Sequence, residues 1–236
     1  MNEKNIIITG ATDGIGLAAA KTIASQGYRV GLVGRNPDKA KTAIESIISH
    51  TGNDKIDFFQ ADLSLVKEVD KLSNQIKQKY SHLNVLLNNA GGANRYKIIT
   101  DEGLEKTFAT NQMNYFVLTT NLMDMLSESH GSRVVNVASN AHIGASIDFD
   151  NINSEKGHSW WKSYCISKLM NIMFTYRLAE MQDKVTANCL HPGFVDTNIG
   201  GNEGNVIKKI VKILGSRIFA RTVQDGQIQA YIFLIR

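Results

Sequence analysis

Thr9-Gly10-Ala11-Thr12-Asp13-Gly14-Ile15-Gly16 runs out of the β-branched stretch Asn5–Thr9 and straight into the small residues Leu17-Ala18-Ala19-Ala20. Glycines gathered where a strand turns into a helix make a site for an anion. Gly10 permits the tight turn, and Gly14 and Gly16 lack the Cβ that would hold a pyrophosphate away from the free N–H groups and positive dipole end of the helix. The spacing is GxxxGxG rather than GxGxxG, so it is the position of the loop, at the first strand-to-helix junction, that gives it weight. Outward from it the same alternation continues. Asn5–Thr9, Tyr28–Val33, Lys55–Gln60, Leu83–Asn88, Ser132–Ala138 and Lys184–Leu190 read as strands. Ile15–Gln26, Asp38–His50, Leu65–Tyr80, Leu104–Ser127 and Tyr164–Met181 read as helices. Most of the strands are nearly continuous apolar runs, as in parallel sheets covered on both faces. The expected fold is therefore α/β: a doubly wound parallel sheet flanked by helices on both faces, with no linker or repeat to divide residues 1–236 into more than one domain.

After the second strand, an acid would hydrogen-bond the 2′-hydroxyl of an adenine ribose. This chain has Gly34-Arg35 there. A guanidinium suits a 2′-phosphate in charge and fork geometry, which points to NADP(H) as the cofactor, with Arg35 as the selecting residue.

Composition excludes several other classes. In 236 residues, 43% are hydrophobic and 20% charged, ordinary globular usage with enough apolar surface for a sizeable core. No apolar run approaches the ~20 residues of a membrane span, and Met1-Asn2-Glu3-Lys4 leads directly into the first strand, so neither a span nor a signal peptide is expected. Two cysteines, Cys165 and Cys189, with no CxxC spacing, argue for reduced thiols and a cytoplasmic setting. The six histidines show no ligand spacing, so no metal is expected. The net charge of +4 and pI of about 9.0 are local in origin. Lys208, Lys209, Lys212, Arg217 and Arg221 fall in one acid-free stretch, where Ile207, Ile210, Val211, Leu214 and Ile218 recur at helical spacing. The expectation is an amphipathic surface helix; it lacks the interleaved aromatics of a nucleic-acid element, and weak association with an anionic membrane surface is the rival reading.

Tyr164 and Lys168 stand four residues apart on one expected helix, so their side chains converge. Ser139 lies at the end of a strand, on the edge where open α/β sheets bind ligands. With these residues on the page the chain resembles the short-chain dehydrogenase/reductase family over essentially its whole length. Thr9–Gly16 matches the family's TGxxxGxG, and with it the cofactor contacts of Gly10, Thr12, Asp13, Gly14, Ile15 and Gly16. Asp62-Leu63 resembles the adenine-contacting pair. Asn88-Asn89-Ala90-Gly91 resembles the segment that supports the sheet and lies beside the cofactor. Asn111, Ser139, Tyr164 and Lys168 match the catalytic tetrad. Pro192, Gly193, Val195 and Thr197 match the stretch that holds the nicotinamide carboxamide. Val33-Gly34-Arg35-Asn36 and Thr222-Val223-Gln224-Asp225-Gly226 look most like the retinol-dehydrogenase-like branch, whereas Gln112-Met113-Asn114-Tyr115-Phe116 differs from the His-x-Gly-His/Tyr-Phe common there.

The resemblance implies hydride transfer between a nicotinamide and the carbonyl or alcohol of a small-to-medium, lipophilic molecule. In that chemistry Ser139 donates to the oxygen where charge builds and Tyr164 is the acid. Lys168 brings the phenol below its usual ~10 and, by resemblance, grips the ribose hydroxyls. Asn111 would hold a water on the proton path. A homo-oligomer is usual in the family. The rival from another class is a catalytically silent NADP-binding sensor or scaffold of the same fold. Relatives end in a seventh, edge strand; here the residues after Gly193 read as a loop, the basic helix and a helix from about Val223 to Leu234. The last edge strand is thus expected to be missing, with Ala230–Ile235 or a partner subunit covering the sixth strand.

Overall fold

The computed structural model describes residues 4–192, together with the backbone of residues 194–195 and 220–221. Six strands, β1 (Asn5–Thr9), β2 (Arg29–Gly34), β3 (Ile56–Gln60), β4 (Val85–Asn88), β5 (Arg133–Val137) and β6 (Thr186–Leu190), form one all-parallel sheet in the order β3-β2-β1-β4-β5-β6. The crossover helices are α1 (Gly14–Ala24), α2 (Pro37–Thr51), α3 (Val66–Lys79) and α7 (Trp160–Met181), with the shorter α4 (Lys106–Phe108), α5 (Asn114–Asn121) and α6 (Met123–Ser127) between β4 and β5. This is the doubly wound, Rossmann-type fold the strand pattern predicts.

Ile6, Ile7 and Ile8 show why both faces are dry. Successive side chains of a strand point to opposite faces. Ile7 enters a core with Val33, Leu72, Ile76, Leu86 and Leu118, under α3 and α5, while Ile6 and Ile8 enter another with Ala19, Ile23, Val30, Leu32 and Ile47, under α1 and α2. An alternating polar strand could not satisfy both. The chain leaves the sheet in opposite directions after β1 and β4, and the crevice at their carboxyl ends is the usual ligand position of such sheets.

Two expected elements differ. The single helix read over Leu104–Ser127 is broken: α4 runs into a π-helical turn, Ala109–Met113, then α5, and a residue outside the helical region, Leu122 (φ −98, ψ 3), separates α5 from α6. Apolar periodicity is blind to one extra residue in a turn; π turns of this kind cluster at functional sites, and this one carries Asn111. Helix α7 begins four residues before Tyr164, because Ser159 caps it by accepting the N–H of Lys162.

Beyond the main sheet, β7 (Phe194–Val195) pairs in parallel with β8 (Ala220–Arg221). The end of the basic stretch is therefore strand; Ile207–Ile218, read as a helix, lies outside the described residues, as does the expected cover at Ala230–Ile235. Among the described residues β6 is the edge of the main sheet. No helix among them is long and apolar enough to cross a membrane.

Candidate active site

The glycine loop is fastened to the end of β4. Thr9 Oγ1 accepts the N–H groups of Asn89 and Ala90 at 2.8 and 2.9 Å, and Asn89 Nδ2 donates to the carbonyls of Thr9 and Gly10 at 2.8 and 3.3 Å. Gly10 and Gly14 have left-handed backbones, φ 65 and 53. Gly16 also meets a constraint within the protein itself. A Cβ there would stand 2.3 Å from the Gly10 carbonyl oxygen and 2.6 Å from Asn89 Nδ2, so the first constraint is helix α1 against its own loop. Gly16→Ala is accordingly expected to cost about 1–3 kcal/mol of stability, the range for overpacking, because a backbone carbonyl cannot swing away. A denaturant titration checks this, and an unchanged midpoint would contradict the contact.

Asp13 caps α1, its carboxylate accepting the Gly14 N–H at 2.7 Å, while Lys39 stands 3.8 Å from its other oxygen. The first intrahelical bond runs from the Leu17 N–H to the Asp13 carbonyl, leaving the Ile15 and Gly16 N–H groups at the head of the helix. At the end of β2, a Cβ on Gly34 would meet the Thr12 methyl at 2.9 Å, so Thr12 itself keeps an acid out of that position. Arg35 is two-thirds exposed. Asp62 Oδ2, from the loop after β3, lies 4.0 Å from the Arg35 guanidinium. Burial would raise the Asp62 carboxyl, but hydrogen bonds from the Ser64 N–H and hydroxyl, with Arg35 and Lys106 nearby, hold it below the usual value. Leu63 and Ala90 place their side chains in the core rather than in the crevice.

At the carboxyl ends of β4 and β5 the four tetrad matches meet. The π turn presents Asn111, fully buried, whose Oδ1 accepts the Gly92 N–H at 2.8 Å and whose Nδ2 donates to the Gly92 carbonyl and to Ser167 Oγ, each at 2.9 Å. Gly91 backs onto this group, with a Cβ there 3.2 Å from Asn111 Oδ1 and 3.4 Å from Lys168 Nζ. Ser139 opens the turn Asn140–His142 and stands beside the phenol of Tyr164, whose ionised form it favours. Lys168, buried on α7, donates from Nζ to the Val137 carbonyl at 2.8 Å and lies 5.8 Å from the centre of the Tyr164 ring.

Electrostatics there are set by burial. It raises the Tyr164 phenol, against the Ser139 hydroxyl beside it, with Cys165 adding to the rise. It lowers the Lys168 ammonium from 10.5 to about 7. The sequence-based expectation that Lys168 pulls Tyr164 down is thus not met in this structure: the amine is itself desolvated, and burial outweighs the Ser139 contact at the phenol.

Sequence reasoning gave Tyr115 no place at the site, passed over Asn171, and of the polar ladder below named only Asn88, as a support of the sheet. Tyr115, fully buried on α5, places its ring 5.7 Å from Lys168 Nζ. Asn171 Nδ2 shares the Val137 carbonyl at 3.5 Å. A buried polar ladder links Thr119, Asn88, Asn136 and Thr175 across β4, β5, α5 and α7. Polar residues at inward strand positions, Asn88 and Asn136, were the available signal. Pro192 is buried at the end of β6; of its expected companions, Gly193 and Thr197 lie outside the described residues, and Val195 is described only as part of β7.

The sequence profile of the family described as short chain dehydrogenase matches residues 4–206. Human polyprenol dehydrogenase is 36% identical over 228 residues, covering 93% of this chain and 69% of that protein. Human retinol dehydrogenase 11 is 37% identical over 198 residues, covering 83% of this chain and 62% of that protein. A candidate short chain dehydrogenase of Escherichia coli CFT073, solved with NADPH, superposes with a TM-score of 0.68 at 28% identity, covering 84% of this chain and 79% of that one. The chain belongs to the short-chain dehydrogenase/reductase family, a family of oxidoreductase enzymes, and its curated relatives include retinol dehydrogenases. It spans about two thirds of the length of the curated relatives it matches.

Proposed function

We propose that this protein is an NADP(H)-dependent oxidoreductase acting on the carbonyl or alcohol group of a small-to-medium, lipophilic molecule, with reduction as the favoured direction. The observation that carries this reading is the meeting of Ser139, Tyr164 and Lys168 at the carboxyl end of β5, with the Ser139 hydroxyl beside the phenol and Lys168 Nζ 5.8 Å from its ring centre. The cradle fits a dinucleotide. Gly10 and Gly16 admit no side chain, the head of α1 offers N–H groups to a pyrophosphate, and Arg35 and Lys39 supply positive charge at the adenine end. The NADPH-bound Escherichia coli relative supports the same choice.

When bound, the nicotinamide supplies or accepts the hydride. The protein's part is to hold the substrate oxygen and move a proton. Ser139 donates a hydrogen bond to the oxygen as negative charge builds on it, and Tyr164, beside Ser139, gives up its proton. Tyr164, whose phenol burial raises from its ordinary value of 10.0, is protonated at neutral pH, as an acid for reduction must be. Lys168, with Val137 and the two tyrosine rings fixing it, is placed to hold ribose hydroxyls. Asn111, whose amide is spent on Gly92 and Ser167, holds the loop after β4 against α7.

The test is a panel of aldehydes, ketones and alcohols followed by NADPH absorbance. At least one apolar carbonyl is expected to drive NADPH oxidation, and failure across the panel would reject the reading. Cofactor choice has its own check. Arg35→Ala is expected to narrow the preference for NADPH over NADH by about 1.5–3 kcal/mol, roughly 10- to 150-fold, the range for charge-assisted hydrogen bonds. Titrating both nucleotides against both proteins decides it; equal affinities in the unmodified protein would remove the assignment.

A further inference from the structure

Trp161, Tyr164 and Lys168 stand three and four residues apart on α7 and so form a row on one helix face, in the order indole, phenol, ammonium. The Tyr164 ring is engaged along this row. Lys168 Nζ lies 5.8 Å from its centre, and the Trp161 ring stacks on it, 6.0 Å between centroids at an interplanar angle of 27°. Trp161 is nonetheless 53% exposed. An indole whose role was to fill the core would be buried, as Tyr115 is. This one stacks on the phenol and meets the Trp160 ring edge-to-face, 5.5 Å between centroids at 68°, and still leaves about half of its surface open.

The row has a direction. On the reading proposed above, the Lys168 end belongs to the cofactor, so a substrate whose oxygen reaches Tyr164 and Ser139 must extend its remainder away from that end, toward Trp161. Ile143, 74% exposed, follows Ser139 by four residues at the end of the turn that packs on α7, as Trp161 precedes Tyr164 by three. An aromatic face prefers an offset-stacked flat partner over a saturated one.

We propose that Trp161 is the specificity-determining residue of this site, its open indole forming a shelf for a flat, unsaturated apolar group, an aryl ring or a conjugated chain, attached to the substrate's carbonyl carbon. The inference rests on the carbonyl-reducing reading of Tyr164 and Ser139, and it selects among substrates that reading leaves equivalent.

The experiment compares kcat/KM with NADPH for cinnamaldehyde and benzaldehyde against cyclohexanecarboxaldehyde, a saturated ring of similar size. Because these aldehydes differ in intrinsic reactivity, the readout is how their ratio changes between proteins. Trp161→Ala is expected to lower the unsaturated-to-saturated ratio about 3- to 10-fold, in keeping with the strength of aromatic pairs, and Trp161→Phe to restore most of it. A fall that is equal for all three aldehydes would mean that Trp161 merely braces Tyr164, and would overturn the proposal. A second arm needs no turnover. The chain has two tryptophans, so Trp160→Phe leaves Trp161 as the sole indole emitter. Titrating cinnamyl alcohol into this variant saturated with NADP is expected to quench its emission saturably, whereas cyclohexylmethanol leaves it nearly unaltered. Equal or absent quenching by both alcohols overturns the shelf even where no aldehyde is reduced, and a panel-wide lack of reduction with the expected quench rejects the oxidoreductase reading while keeping the shelf.

Discussion

Tyr164→Phe is expected to lower kcat by about 10²–10⁴-fold, the span associated with loss of a positioned general acid, while NADPH affinity stays within about twofold. The substitution removes one oxygen and keeps everything else the ring does. It still stacks on Trp161, it still offers its face to Lys168 Nζ, and Ser139 keeps its bond to the turn, accepting the Ala141 N–H at 3.2 Å. What disappears is the proton that the phenol carries at neutral pH. The measurement is NADPH oxidation with a good carbonyl substrate, beside nucleotide titration of both proteins. Residual activity above about 1% would move the acid's role elsewhere, and a large loss of NADPH binding would mean that the phenol's first duty is to the cofactor.

How much of this was readable in advance depends on what each residue's neighbours are. The six strands stand within two residues of their expected ends because nearly every strand position meets a helix. Ile6, Ile7 and Ile8 serve both faces at once, and a run of that kind has no competing reading as a half-solvated strand. Tyr164 and Lys168 were legible because four residues on a helix is a distance, whatever the tertiary context. Asn111 was legible by its motif but not by its geometry: the π turn that aims it inserts a register change in Leu104–Ser127 that hydrophobic spacing does not record. Gly16 was legible by its motif but not by its packing: its nearest obstacle is the carbonyl of Gly10, a contact made by the loop folding back on itself. Least legible were effects of burial on charge. That an ammonium beside a phenol should lower the phenol's pKa is sound in water, but in this fold both groups are buried and each is pushed toward its neutral form. Nor does residue type tell an exposed indole such as Trp161 from a core one.

The buried lysine carries the second large expectation, on stability. In the protein without nucleotide, burial lowers the Lys168 ammonium from 10.5 to about 7. At and below pH 7 folding therefore bears the full cost of burying a charge, several kcal/mol at about 1.4 kcal/mol per decade of proton concentration. Between the folded and unfolded values the unfolded chain binds more protons at this site than the folded one, so stability rises with pH. The rise is unopposed only up to about pH 9. Burial raises the Cys165 and Cys189 thiols from 9.0 and the Tyr115 and Tyr164 phenols from 10.0, and groups raised in the folded state lose their contribution as pH passes their unfolded values. The melting temperature without nucleotide is thus expected to climb from pH 7 to pH 9 and then to flatten. Lys168→Met keeps the length and apolar stem of the side chain, removes the charge, and leaves Asn171 Nδ2 near the Val137 carbonyl. It is expected to melt at least about 5 °C higher than the unmodified protein at pH 7, at roughly 2–4 °C per kcal/mol for a chain of this size, and to lose the climb toward pH 9. The same variant is expected to bind NADPH more weakly, because the group placed at the ribose is gone. Melting curves at pH 6, 7, 8 and 9 decide the matter. A variant that melts lower at pH 7 and retains the climb would show that the lysine is stabilising as a charge, held by Val137 and the faces of Tyr115 and Tyr164 strongly enough to outweigh its burial.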